Sequence, residues 1–216
     1  MKGKALMRTG GIILCGGRST RMGRDKASLP FAGEPMLLRV LRQVEAGLGD
    51  GPVVIVASST QELPPLPETV RIVRDQRPDQ GPLEGLATGL QELVDVVDVA
   101  FVTSCDVPLL NPAVIRLLLD KCMSWDVVVP QDEHYPHPLC AVYRTSTLTS
   151  IRRLLEAGEH RPRALFQQVR TCFLSVDVLR TVDPQLLSLL NLNHPAEYER
   201  ALALAGMENS VESSEQ

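Results

Sequence analysis

A continuous apolar run, Gly11-Ile12-Ile13-Leu14-Cys15, opens directly into Gly16-Gly17-Arg18-Ser19-Thr20-Arg21-Met22-Gly23-Arg24-Asp25-Lys26. A strand that is apolar at successive positions has both faces covered, which points to a parallel sheet between helices rather than a half-exposed antiparallel one. The adjacent glycines permit a sharp turn that brings backbone N–H groups close to anionic oxygens, and Arg18, Arg21, Arg24 and Lys26 add positive charge opposed only by Asp25. The segment reads as a cradle for a polyphosphate, the alternative being the glycine turn and solvated basic loop that commonly follow a strand in α/β proteins. It has neither the Gly-Lys-Ser/Thr ending of a P-loop nor the G-x-G-x-x-G of a dinucleotide turn.

Further β-branched runs at 53–57, 70–73, 99–103 and 126–129 alternate with stretches of helical period, the pattern of βαβ units. Helices are expected after Pro35, from Pro82 to about Val94, from Pro112 through Cys122, over 146–157 and from Pro195 to Ala205, several opening on a proline whose missing N–H costs nothing there. Strands at 139–143 and 172–176 complete the sheet. The fold class expected is α/β, three-layered and Rossmann-like, with a mainly parallel sheet. A chain of 216 residues suits one domain, placed at 10–206, between a flexible N-terminus at 1–9 and a disordered acidic tail at 207–216.

The net charge of −4 argues against nucleic acid and anionic membranes as partners, so the basic cluster is aimed at a small anionic ligand. Cys15, Cys105, Cys122, Cys140 and Cys172 contain no C-x-x-C pair, and reduced thiols in a cytoplasmic protein are expected. No apolar run approaches the roughly 20 residues that span a bilayer.

In open α/β sheets ligands sit beyond the carboxyl ends of the strands. Asp106, in Ser104-Cys105-Asp106-Val107-Pro108, follows one such end and suits either a metal ligand or a turn-capping carboxylate. Asp75 follows another, and Gly81-Pro82-Leu83-Glu84-Gly85 opens a helix whose N-terminal amides could hold an anion or a base edge. His137, before a strand, suits a substrate contact or a loop hydrogen bond. Arg161 and Arg163 suit an anionic acceptor or a solvated helix-capping loop. Asn191 and Asn193 suit loop formation or ligand contact. No G-x-S-x-G elbow supports covalent catalysis.

In order, the Leu14 to Lys26 motif, Gly81-Pro82-Leu83-x-Gly85, Cys105-Asp106-Val107-Pro108, His137-Pro138-Leu139 and Asn191-x-Asn193-x-Pro195 resemble the molybdenum cofactor guanylyltransferase family, over about Gly10 to Ala205. The resemblance implies the nucleotidyltransferase (nucleotide-diphospho-sugar transferase) variant of the fold and transfer of GMP from GTP to the phosphate of molybdenum-molybdopterin, releasing pyrophosphate. It also implies that Leu14, Cys15, Gly16 and Asp75 contact the nucleotide, that Lys26 meets its phosphates, and that Asp106 contacts both the nucleotide and Mg²⁺ or Mn²⁺; alongside these, Lys26 and Arg21 are expected to offset charge on the triphosphate and the Gly16 and Gly17 amides to hold the rest of it. Gly81, Pro82, His137, Arg161, Arg163, Asn191 and Asn193 are the further substrate contacts expected, and molybdoenzyme maturation proteins the further partners. Cys15, Glu84 and Val56-Ala57-Ser58-Ser59 depart from the pattern, Cys15 standing where the family often has Ala and the last leaving Ser58 as the residue expected to replace a family asparagine. A cytidylyltransferase and a non-catalytic nucleotide-binding chaperone are the alternatives.

Overall fold

The structure, a computed structural model, describes residues 7–15, 25–75 and 81–212, with side chains to residue 206. Its strands are β1 (Thr9–Leu14), β2 (Pro30–Phe31), β3 (Glu34–Pro35), β4 (Val53–Ser58), β5 (Arg71–Asp75), β6 (Val99–Ser104), β7 (Val127–Gln131), β8 (Cys140–Arg144) and β9 (Thr171–Ser175). Its α-helices are α1 (Met36–Leu48), α2 (Pro82–Leu93), α3 (Pro112–Lys121), α4 (Leu148–Glu156), α5 (Pro162–Leu165), α6 (Val176–Leu179) and α7 (Pro195–Glu212).

Seven strands form one sheet in the order β5-β4-β1-β6-β8-β7-β9. Only β8 runs antiparallel to its neighbours, β6 and β7. The sheet is therefore mainly parallel, as expected. Along the central strand, Ile13 joins the core beneath α1 and α3, while Ile12 and Leu14 join the core beneath α2 and α4. That alternation explains the unbroken apolar run, because every side chain of a two-sided strand meets a helix.

The helix starts follow local chemistry. Asn111 accepts a hydrogen bond from the Ala113 N–H at 2.8 Å and Pro112 takes the first helical position of α3. Gly81 precedes Pro82 at a φ of 81°, which glycine adopts without a Cβ penalty. A Cβ on Gly89 would lie 2.6 Å from Ile12 Cγ2, so this glycine lets α2 sit directly on β1.

Several boundaries differ from the sequence reading. β5 continues to Asp75, which is its last residue rather than a loop residue beyond it, and α7 continues to Glu212, past Ala205. The short hairpin β2–β3 was not expected. Ala32 (φ 48°) and Gly33 (φ 90°) form its two-residue loop, both in the left-handed region that such loops require. Its Phe31 joins Met36, Leu109, Leu192, Ala201 and Ala205 in a third apolar cluster, which docks α7 beside the carboxyl ends of β1 and β6.

Candidate functional site

Asp106 lies just past β6 and is 8% exposed. Its Oδ1 accepts the Ser104 hydroxyl at 2.5 Å and its Oδ2 accepts Lys26 Nζ at 2.8 Å. The same ammonium donates to Asn193 Oδ1 at 2.9 Å. Three segments far apart in sequence thus meet at one cation, and two of its three donors are used among the described residues. The α7 side is fastened twice more. Leu192 N–H donates to the Asp106 carbonyl at 2.9 Å, and Glu197 Oε2 accepts the N–H groups of Asn193 at 2.6 Å and His194 at 2.9 Å. Those bonds hold the Glu197 carboxyl below its ordinary pKa, the Asn193 N–H contributing most.

Lys26 is carried by a single 3₁₀ turn, Lys26–Ser28, whose start is capped by Asp25 Oδ1 accepting the Ala27 N–H at 2.9 Å. Cys15 and Cys105 sit side by side past the ends of β1 and β6, in register with the Leu14–Ser104 pair. Their mutual hydrogen bond, followed by burial, raises the Cys15 pKa well above its ordinary value, so this group is a thiol and not a thiolate nucleophile. Cys15 N–H donates to Val56 O at 2.8 Å, and Leu14 O accepts the Cys105 N–H at 3.0 Å.

The other expected residues are placed as follows. Gly16, Gly17 and Arg21 lie outside the described residues. Asp75 is opposite Ser58 in the register of β4 and β5, two strands from β1. Gly81 packs on the loop before α5, a Cβ there lying 3.1 Å from His160 O, and His160 Nδ1 is buried with no hydrogen-bond partner among the described residues. The Arg161 guanidinium donates twice to Glu159 and its backbone N–H once, at 2.9 Å each, which holds the Glu159 carboxyl down at about 2. The Arg163 guanidinium lies 5.8 Å from the Tyr135 ring centre. His137 Nε2 pairs with Asp132 Oδ2 at 3.1 Å. Asn191 is exposed, unlike Asn193. Glu84 lines a groove of about 460 Å³ between α2 and α4 that it shares with Arg74 and Arg152. A larger cleft of about 660 Å³ opens at the carboxyl ends of β7 and β9, lined by Asp132, His134, Phe173, Asp177 and Arg180 among others.

Sequence reasoning missed Glu197 and Gln61. Glu197 carried a signal, since it stands three residues after His194 at the start of a helix, the spacing of the reciprocal half of a capping box. Gln61, whose Nε2 reaches both Cys15 O and Asp25 Oδ1, carried none.

As for a divalent metal, no group of three or more Asp, Glu, His or Cys is poised to bind one among the described residues. Asp106 offers a single hard carboxylate, buried beside Ser104 and Lys26. That fits Mg²⁺ or Mn²⁺, which take few protein carboxylates and complete their shell with substrate phosphates and water. Among the described residues, no helix is long and apolar enough to cross a membrane.

Comparison with known proteins matches residues 11–172 to the MobA-like NTP transferase domain. The chain is 34% identical over 211 residues to the probable molybdenum cofactor guanylyltransferase of Chloroflexus aggregans, covering 94% of this chain and 98% of that one. Among solved structures, the molybdopterin-guanine dinucleotide biosynthesis protein A of Archaeoglobus fulgidus superposes with a TM-score of 0.75 at 21% identity, covering 92% and 99% of the two chains. A Mycobacterium tuberculosis protein solved as a complex with manganese gives 0.63 at 16% identity, covering 91% and 98%. The shared architecture is the nucleotide-diphospho-sugar transferase fold. Asn193 and Glu197 lie beyond the stretch that the domain match covers.

Proposed function

The chain belongs to the MobA-like NTP transferase family, and on that premise we propose that it transfers GMP from GTP to the terminal phosphate of molybdenum-molybdopterin, giving the guanine dinucleotide form of the cofactor and pyrophosphate. An oxygen of the acceptor phosphate attacks the α-phosphorus of GTP, the bond from that phosphorus to the oxygen bridging the β-phosphate breaks, and pyrophosphate leaves with the electron pair. The observation that carries the reading is the half-buried meeting of Lys26, Asp106 and Asn193 at the strand ends next to the glycine-rich segment, in a chain of this family.

The attacking oxygen is already anionic near neutral pH, so the reaction needs polyanions held together more than it needs a base. Lys26 would place its remaining donor on a phosphate oxygen, held in direction by Asp106 and Asn193. Asp106 would hold Mg²⁺, which when bound offsets charge on the phosphates; Mn²⁺ suits the same donor and occurs with a structural neighbour. The protonated, buried Cys15 offers packing and backbone beside the nucleotide and no covalent step. Gly16, Gly17 and Arg21 are assigned to the phosphates from their sequence position, and Asp75 to the nucleotide. The exposed Asn191 and the loop carrying His137, with Gly81, Pro82, Arg161 and Arg163, are assigned to the acceptor half. Five free cysteines suit a cytoplasmic setting, from which the product would pass to molybdoenzyme maturation proteins.

Pyrophosphate release with each nucleoside triphosphate, Mg²⁺ and molybdenum-molybdopterin tests the proposal. Turnover is expected with GTP, and turnover with CTP but not GTP would overturn it.

A further inference from the structure

Gln61 follows β4 in a turn closed by its own N–H on Ser58 O at 3.2 Å. Its amide makes three contacts. Oε1 accepts the Ser58 N–H at 3.4 Å, and Nε2 donates to Cys15 O at 3.0 Å and to Asp25 Oδ1 at 3.0 Å. A primary amide has two N–H donors on its nitrogen, and here they meet a carbonyl and a carboxylate while the oxygen meets an N–H. Turning the amide over would set oxygen against both acceptors and nitrogen against a donor, so the chemistry of the neighbours fixes this orientation. The turn is held from outside by Arg74 Nη1, which donates to Ser58 O at 3.0 Å and to Gln61 O at 2.7 Å.

Cys15 and Asp25 are the residues on either side of the segment Gly16 to Arg24. One side chain therefore ties the end of β1 to the first residue after that segment. Asp25 Oδ1 is the same oxygen that accepts the Ala27 N–H and so caps the turn bearing Lys26. A contact path runs from β4 through Gln61 and Asp25 to Lys26, independent of the path from α7 through Glu197 and Asn193 to the same ammonium.

Building on the GMP-transfer reading, we propose that Gln61 is a positioning residue for the donor triphosphate: by fastening Cys15 to Asp25 it sets where Lys26 stands relative to the end of β1. It touches no reacting atom. Its work is to fix the lysine before nucleotide arrives, so that binding does not have to order it.

Two variants test this. Gln61→Glu keeps the length of the side chain and an acceptor for Ser58, but places an anion against the Asp25 carboxylate and the Cys15 carbonyl. Gln61→Ala removes all three contacts. The KM for GTP should rise about tenfold in the glutamate variant and about threefold in the alanine variant, with kcat and the acceptor KM within about twofold of the parent. A merely structural role would instead lower the melting temperature and the active fraction while leaving the GTP KM unmoved. A second readout needs no substrate: amide hydrogen exchange at Ala27 in the free protein should accelerate about tenfold in Gln61→Glu. Unchanged exchange at Ala27 together with an unmoved GTP KM would overturn the assignment. Should the parent protein fail to use GTP, the reading of the reaction falls, while the exchange rate at Ala27 still decides whether Gln61 holds Asp25.

Discussion

The middle of the sheet and its β9 end are held by different kinds of contact. At the ends of β1 and β6, the bonds from Lys26 to Asp106 and Asn193 join residues 80 and 167 apart in sequence. Beyond the carboxyl ends of β7 and β9, polar and charged groups are paired with close neighbours: Arg161 with Glu159 two residues away, His137 with Asp132 five away, and Arg180 with Asp177 three away; the longer-range pair there, Arg170 with Asp126 44 away, lies at the opposite, amino ends of the two strands. A long-range pair persists only while the fold brings its partners together, whereas a short-range pair survives local rearrangement. On the proposed reading, the donor half of the site is built into the tertiary structure, and the acceptor half would adjust to an incoming ligand without disturbing the core.

The largest test of that contrast is Asp106→Asn. It keeps the shape but removes the charge that pairs with Lys26 and would hold the metal, and kcat/KM is expected to fall roughly a hundred- to a thousandfold, read by pyrophosphate release. A fall of less than about tenfold would place the decisive charge elsewhere and dissolve the distinction between the two halves.

Gly89→Ala tests the same contrast through packing. The added methyl would meet Ile12 Cγ2 at 2.6 Å, on the strand that ends in Leu14, so α2 must move off β1. A loss of about 1–3 kcal/mol is expected, checked by denaturant unfolding. An unchanged midpoint would mean that the layer beneath the donor half is looser than the close approach implies.

Next in size is Glu197, which belongs to the long-range set although its own bonds are local. Glu197→Ala should cost about tenfold in kcat/KM by freeing Asn193 from its place beside Lys26, while Glu197→Gln, still an acceptor for the two N–H groups, should cost only about twofold. The pH dependence follows from the lowered carboxyl pKa. A depressed folded-state pKa adds stability that is fully present above the ordinary glutamate value near 4.5 and is lost as pH falls through the folded value. The stability gap between the parent and Glu197→Gln should accordingly be level above pH 5 and close below about 4.5, as followed by thermal melts.

Much of the donor half was legible in the sequence because it is written at strand ends. The run from Gly11 to Cys15, the prolines at 82 and 112 and the carboxylate of Asp106 are each local signals, and the sheet rules place them on one edge. That the last strand residue of β5 is Asp75 was one step from the reading, since strand ends shift by a residue or two without any change in pattern. What could not be read was which distant residues complete the cation's surroundings. Asn193 was open between loop former and ligand contact, and only the docking of α7 on Phe31 and Met36 brings it to Lys26. Gln61 is harder still. It sits in a polar turn where many side chains would serve, and its significance comes from two acceptors, supplied by the residue just past β1 and by the residue after the glycine-rich segment.

The smallest effects belong to the outer half, and there the sign is more informative than the size. Arg161 is exposed and its charge is matched by Glu159, so Arg161→Ala should raise the acceptor KM only about threefold, and Arg163→Ala about the same. Removing the opposing charge should act the other way. In Glu159→Gln the guanidinium loses its anionic partner and turns toward solvent and ligand, so the acceptor KM should fall about twofold, with the benefit shrinking as salt is added. The GTP KM should not move in any of the three, because among the described residues Arg161 bonds to Glu159 and Arg163 lies over Tyr135, away from the bonds that join Lys26 to Asp106 and Asn193. An acceptor KM that rises in Glu159→Gln would mean that the pair itself, rather than the free arginine, is what the acceptor meets, and that the outer half is as firmly set as the centre.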